Sequence, residues 1–160
     1  YMGMLSNPLL IGILLIIMGI VLYVCDKVSR NNISLDGIGL KCSIFIGIAQ
    51  VLAIIPGVSR SGITMSAGRA TGLDHESIAK FTFLLSAPII LGDALFHAKD
   101  LAHVNIDALP FVVAVVTAAV VGLLSIKFLL NYLKTKSFFV FTIYRFVLGA
   151  LIIALYFIRA

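Results

Sequence analysis

Arg60 is the only charged residue between Lys41 and Arg69, and it stands in the run Pro56-Gly57-Val58-Ser59-Arg60-Ser61-Gly62-Ile63-Thr64. An ionised side chain at membrane depth is expensive and by default marks a functional site. Proline and glycine break a helix there, which frees backbone N–H groups beside the guanidinium. Freed N–H groups at a helix start, joined to an arginine fork, form a receptor for phosphate. The run therefore predicts an intramembrane phosphate site on a broken helix.

The membrane setting follows from composition. Of the 160 residues, 61% are hydrophobic and 12% charged, whereas a soluble domain is about 45–50% apolar and about 25% charged. The fold class expected is an all-α polytopic membrane protein, with residues 1–160 forming a single integral membrane domain. Four transmembrane helices are predicted, at 9–25, 76–96, 110–133 and 138–158. Asp74 is placed to cap the second, and Glu76 lies in its first turn. Between the first two spans, 38–55 and 62–70 are apolar pieces separated by the Pro-Gly break. They predict a re-entrant helical hairpin, because broken backbone at membrane depth must line a cavity or be buried in protein. A single kinked helix is the alternative. The chain opens on Tyr1 in an already apolar segment, so a fragment lacking its N-terminal part is expected.

Direction follows from lysine and arginine. Lys134 and Lys136 put the turn between the third and fourth spans inside, and Lys27 and Arg30 do the same for the loop after the first. The loop 97–107 then lies outside, as does Arg159. This topology accounts for the net charge of +5. Nucleic-acid binding is excluded, because the basic residues are scattered and no aromatic side chains interleave with them.

Each candidate has a structural alternative. Arg60 either holds two phosphate oxygens or snorkels to the interface. Ser59, Ser61 and Thr64 either donate to phosphate or attack phosphorus with the help of a base; as the alternative, Ser59 or Ser61 caps the second half-helix. No such base is evident in the chain. Gly57 and Gly62 let backbone approach an oxyanion or a neighbouring helix; Gly68 and Gly72 suit helix packing. Arg145, about two turns into the fourth span, pairs with a carboxylate, reaches a phosphate or snorkels. Arg69 is expected at the interface, His75, His97 and His103 on the surface, and Gln50 beside a polar partner. Cys25 and Cys42 read as small buried hydrophobes, with no disulfide or zinc site. No metal site assembles from these residues, since Asp93 has no second carboxylate one turn away.

The run from Pro56 to Thr64 resembles the P-G-x-S-R-S-G-x-T signature of the bacterial undecaprenyl-diphosphatase (bacitracin-resistance protein) family. Gly47-Ile48-Ala49-Gln50, Phe81-Thr82-Phe83-Leu84-Leu85-Ser86-Ala87-Pro88 and Ile143-Tyr144-Arg145-Phe146 extend the likeness, which is to the family's C-terminal portion. The resemblance implies hydrolysis of undecaprenyl diphosphate to undecaprenyl phosphate and phosphate, which recycles the lipid carrier for peptidoglycan synthesis and confers bacitracin resistance. It implies a fold of two inverted repeats, each with a re-entrant hairpin, in the bacterial inner membrane with the active site facing outward. Arg60, Ser59 and Thr64 would be catalytic, and Gly57, Ser61 and Gly62 would bind substrate. A divalent cation, magnesium or calcium, is implied as well. Its ligands, on an E-x-x-x-E helix with a nearby histidine, are absent from this chain, so the segment alone is expected to be inactive. The partners implied are a polyprenyl diphosphate lipid and membrane lipids, with a homo-oligomer left open. The rival from another class is a transporter or flippase for an anionic lipid or small anion.

Overall fold

A computed structural model describes residues 7–29, 33–101 and 108–159. Among the described residues six α-helices follow one another: α1 (Pro8–Val28), α2 (Leu40–Val51), α3 (Arg60–Ala70), α4 (His75–Leu101), α5 (Ala108–Leu133) and α6 (Phe139–Arg159). Four are long and apolar enough to cross a membrane, over Pro8–Val28, His75–Ala98, Leu109–Leu133 and Phe139–Ile158. The all-α polytopic expectation holds. The expectations for Arg30, His103 and most of the loop 97–107 fall outside the described residues.

Local chemistry sets the ends of these helices. Asn7 caps α1 by accepting from the Leu9 N–H at 2.9 Å, and Pro8 opens it. Asp74 caps α4 as expected, accepting from the Ser77 N–H at 2.7 Å and its hydroxyl at 2.8 Å. Between α2 and α3 the chain turns rather than continuing as one kinked helix. Leu52–Ile54 tightens to a 3₁₀ turn, and Ile55 is extended, as a residue before proline must be. Pro56 and Gly57 (φ 94°) then make a tight turn closed by the Val58 N–H donating to the Ile55 carbonyl at 3.2 Å. At the far end of α3, the Gly72 N–H donates to Arg69 O at 2.9 Å and the Leu73 N–H to Gly68 O at 3.0 Å. This is a Schellman ending, with Gly72 at φ 91°. Gly72 is therefore a chain-reversal glycine and not the packing residue expected. Gly68 does pack, directly under Ile78.

α1 and α6 run antiparallel in close contact. A Cβ on Gly149 would lie 2.8 Å from the Gly12 carbonyl oxygen, so only glycine permits this approach. α3 lies against α1, and α2 against α3. The two feet of the α2–α3 hairpin meet at one end of the molecule. Ile33, ahead of α2, forms a parallel bridge opposite Leu73, after α3: its N–H donates to Gly72 O at 2.9 Å and its carbonyl accepts from the Asp74 N–H at 3.0 Å. The hairpin tip lies alongside the first turns of α1, where Gly57 touches Ile11 and Leu14. The apolar core sits at the feet, formed by Leu22, Ile46, Met65, Leu73, Ile78, Leu133 and Phe138.

One carboxylate ties that end together. Asp26 Oδ1 accepts from Arg69 Nε at 3.0 Å and from His75 Nε2 at 2.6 Å, and Oδ2 accepts from the Phe138 N–H at 3.3 Å. The ends of α1, α3, α4 and α6 thus converge on a single side chain. Arg69 is only 3% exposed and also donates to the Leu73 carbonyl. It is a buried ion-pair member rather than the interfacial residue expected. His75 is likewise no free surface residue: it packs on Phe138, with ring centroids 5.0 Å apart. The cysteines are free as expected, but both are half-buried rather than enclosed.

Breaking a buried pair by removing one partner costs about 3–5 kcal/mol, because it strands the other charge. Asp26→Ala in the full-length protein is expected to lower stability by about that amount, whereas Asp26→Asn with Arg69→Met recovers most of it. The midpoint of unfolding in detergent, followed by circular dichroism, checks both.

Candidate functional site

The break delivers Ser59 to the start of α3 in a conformation that few residues adopt. Its φ is 58° and ψ 113°, the only positive φ outside glycine among the described residues. Such a backbone costs of order 1–3 kcal/mol and persists only where surrounding contacts enforce it. On one side, Gly57 is pressed against α1 backbone and Val58 is buried. On the other, Ser59 Oγ caps the helix, accepting from the Gly62 N–H at 3.4 Å. It also accepts from Arg145 Nη2 at 3.0 Å.

Arg145 reaches this point because α6 is held against α1, where Gly19 faces Phe146 and the Arg145 stem. Its guanidinium lies over Gly62, and a Cβ there would collide with it. The residue is 7% exposed, which overturns the snorkelling alternative. Nη1 is buried and has no hydrogen-bond partner among the described residues. No carboxylate among them lies within 4.0 Å of the guanidinium. A buried arginine thus donates to the N-cap serine of α3 and keeps further N–H groups unengaged.

Arg60 faces elsewhere. It is exposed and lines a cavity of about 240 Å³ with Gly47, Gln50 and Ala53 from the first half of the hairpin and Ile89 from α4. It too lacks a carboxylate within 4.0 Å among the described residues. Arg145 thus covers the first turn of α3, while Arg60, the first residue of that helix, turns its side chain to the cavity beside α2.

The remaining predicted residues divide. Ser61 is exposed, its hydroxyl 3.4 Å from that of Ser59. Thr64 is fully buried, and its hydroxyl donates within its own helix, to Arg60 O at 3.0 Å and Ser61 O at 3.1 Å. Gly57 and Gly62 make room for α1 and for Arg145, so both have a packing reason to be glycine. Arg145 is the residue whose role the chain alone left open. A lone charge in an apolar span does not disclose whether its partner is solvent, a carboxylate or a hydroxyl 86 positions away.

The described carboxylates form no metal centre. Asp26 is engaged with Arg69 and His75, Glu76 with Lys80 at 2.7 Å, and Asp93 is exposed near His97. Among the described residues no group of three His, Cys, Asp or Glu side chains converges.

The contact between Gly62 and Arg145 can be measured. Gly62→Ala is expected to destabilise by about 1–3 kcal/mol through overpacking. Paired with Arg145→Ala, it is expected to show a coupling of about 0.5–3 kcal/mol, since the second change removes the collision. A double-mutant cycle on denaturant unfolding of the full-length protein gives this value.

Known proteins share this arrangement of sequence. A family model described as bacitracin resistance protein BacA matches residues 2–151. A protein of Moorella thermoacetica named undecaprenyl-diphosphatase is 51% identical over 153 residues, covering 96% of this chain and 58% of that protein. Proteins of the same name from Pelotomaculum thermopropionicum and Caldicellulosiruptor bescii are 49% and 45% identical, over 93% and 95% of this chain and 56% and 58% of their own lengths. The chain therefore spans somewhat more than half the length of the curated relatives it matches. The family match runs through the hairpin, both arginines and most of α6, and the chain belongs to the bacitracin resistance protein BacA family.

Proposed function

We propose that this chain carries the phosphate-binding half of an undecaprenyl-diphosphate phosphatase, an integral membrane hydrolase acting on a polyprenyl diphosphate. One observation above all supports this: at the start of α3, buried Arg145 donates to Ser59 at 3.0 Å, and its Nη1 has no partner among the described residues. A helix N-terminus beside an arginine that no carboxylate neutralises is matched to a multiply charged anion. The name shared by the relatives supplies the anion's class.

In this reading the diphosphate lies against the first turn of α3. Arg60 and Arg145 bind its oxygens, and α3 backbone N–H groups add their positive ends. With Arg145 donating to Ser59 Oγ, the Ser59 proton is left to donate to a phosphate oxygen. The partners of Ser59 are Arg145, Ser61 and Gly62, none of them a base, so its role here is to bind and orient. Water attacks the terminal phosphorus as the bond to the bridging oxygen breaks. The electron pair of that bond leaves on the lipid phosphate, and the water proton passes to solvent. Charge on the transferring oxygens is stabilised by donors already fixed in place, which is where most of the barrier reduction in phosphoryl transfer arises. Thr64 supports this by bonding the carbonyls of Arg60 and Ser61, which stiffens the turn. The described residues provide no ligand set for the cation implied by the family, and no step is assigned to it.

The hairpin is proposed to re-enter the membrane. Its feet share one end of the bundle and its tip stops beside Ile11 and Leu14, within the length of α1. With the feet inside, as Lys27, Lys134 and Lys136 favour, the tip opens outward in a bacterial inner membrane. The polyprenyl tail then has an apolar path, a groove of about 570 Å³ bounded by Phe45, Leu52, Ile63 and Ala67.

Arg60→Ala in the full-length enzyme is expected to lower kcat/KM for phosphate release from undecaprenyl diphosphate by about 10²–10³, the usual loss of one charge-stabilising donor. Unchanged turnover, together with movement of an anionic lipid across vesicles, would instead assign the fold to transport.

A further inference from the structure

We propose that Gln50 contacts the substrate's phosphate, its carboxamide NH₂ donating to a phosphate oxygen in the cavity that Arg60 also lines; this rests on the phosphate site proposed above. Three observations carry it. First, the Gln50 carboxamide makes no hydrogen bond among the described residues, and its oxygen end, which a half-turn exchanges with the NH₂ donor, is buried and unpartnered. An unsatisfied buried polar group is destabilising, so one that persists calls for an explanation, a ligand among them. Second, Gln50 and Arg60 line the same cavity of about 240 Å³, whose other side chains are apolar. A guanidinium and a carboxamide together in an apolar cavity suit an oxyanion better than a hydrocarbon chain. Third, Gly47 lies one turn before Gln50 on the same wall, and a Cβ there would meet nothing within 4 Å. Packing does not require glycine at that position, and its lack of a side chain keeps the cavity open.

The geometry also indicates how Gln50 works. It is the last residue but one of α2, just ahead of the 3₁₀ turn, so its wall of the cavity is joined to Arg60 through the Pro56–Gly57 turn. A half-turn of the carboxamide presents either its oxygen or its NH₂ to the cavity. With an anion against Arg60, the NH₂ faces the phosphate. Gln50 then acts as a hydrogen-bond donor to that phosphate and belongs with the groups that bind substrate.

The test uses the full-length enzyme with Gln50→Leu and Gln50→Met. Both replace a partnerless polar group by an apolar one of similar size, so a thermal midpoint equal to or above that of the parent is expected. For the properly folded variants, KM for polyprenyl diphosphate is expected to rise about ten- to hundredfold, the loss that goes with a hydrogen bond to a charged group. Inhibition by inorganic phosphate and by polyprenyl monophosphate identifies the source of the oxygen. Weakened inhibition by inorganic phosphate puts the terminal phosphoryl beside Gln50, and weakened inhibition by the monophosphate alone puts the lipid-side phosphate there; either supports the proposal. KM and both inhibition constants within twofold of the parent would overturn it. Should the parent release no phosphate, the phosphatase assignment fails separately. Gln50 is then judged by binding of inorganic phosphate measured by calorimetry, where weaker binding by Gln50→Leu supports its role and equal binding ends it.

Discussion

Both ends of α3 are held by guanidinium groups, and the rest of the arrangement depends on that double attachment. At its C-terminal end Arg69, from the helix itself, binds Asp26 of α1. At its N-terminal end Arg145, from α6, binds Ser59 and covers Gly62. Because α1 and α6 are locked together through Gly12 and Gly149, the two anchors are carried by one frame. An eleven-residue helix would be marginal by itself in water. Fixed at both ends, it keeps its first turn in place against α6, and donors that act on phosphate are effective only when their positions are set beforehand.

The strain at Ser59 fits the same design. The Pro56–Gly57 turn is made from residues that adopt its angles at little cost, so the chain bends there without penalty. The unfavourable angles fall one step later, on the residue that carries the hydroxyl. With φ at 58°, Ser59 sets its Oγ within reach of Gly62 N and Arg145 Nη2 together. Strain of this kind is kept where the fold over-determines it. Here the burial of Val58 on one side and the Arg145 bond on the other do so.

What could be read from the chain was what is local. The four spans, the Asp74 cap and the Pro-Gly break depend on neighbouring residues, and each is found. The break at 55–59 was legible because proline and glycine carry their backbone preferences with them. The surroundings of Arg69 and His75 do not show in the chain for the opposite reason: their partner Asp26 is 43 and 49 positions away. Read alone, Asp26 next to Lys27 resembles an ordinary polar end to a span. Gly57 and Gly62 were recognised as positions of close approach. That the approaching groups are α1 and Arg145 emerges only when the helices are brought together.

The two buried arginines differ in one respect that separates structure from site. Arg69 meets a carboxylate, a histidine shares that carboxylate, and a backbone carbonyl takes another of its N–H groups. Its charge is balanced within the chain, so nothing further is required of its surroundings. Arg145 is nearly as enclosed, yet its contact is a neutral hydroxyl and one of its nitrogens has no partner among the described residues. Taking a charge out of water without a counter-charge costs several kcal/mol. A protein that tolerates this at one end of a helix, and avoids it at the other with the same residue type, distinguishes the two ends by charge. The balanced end is where the helices are fastened together. The unbalanced end sets the positive terminus of α3 beside a guanidinium without a counter-charge among the described residues, the arrangement to which the phosphate anion proposed above is matched.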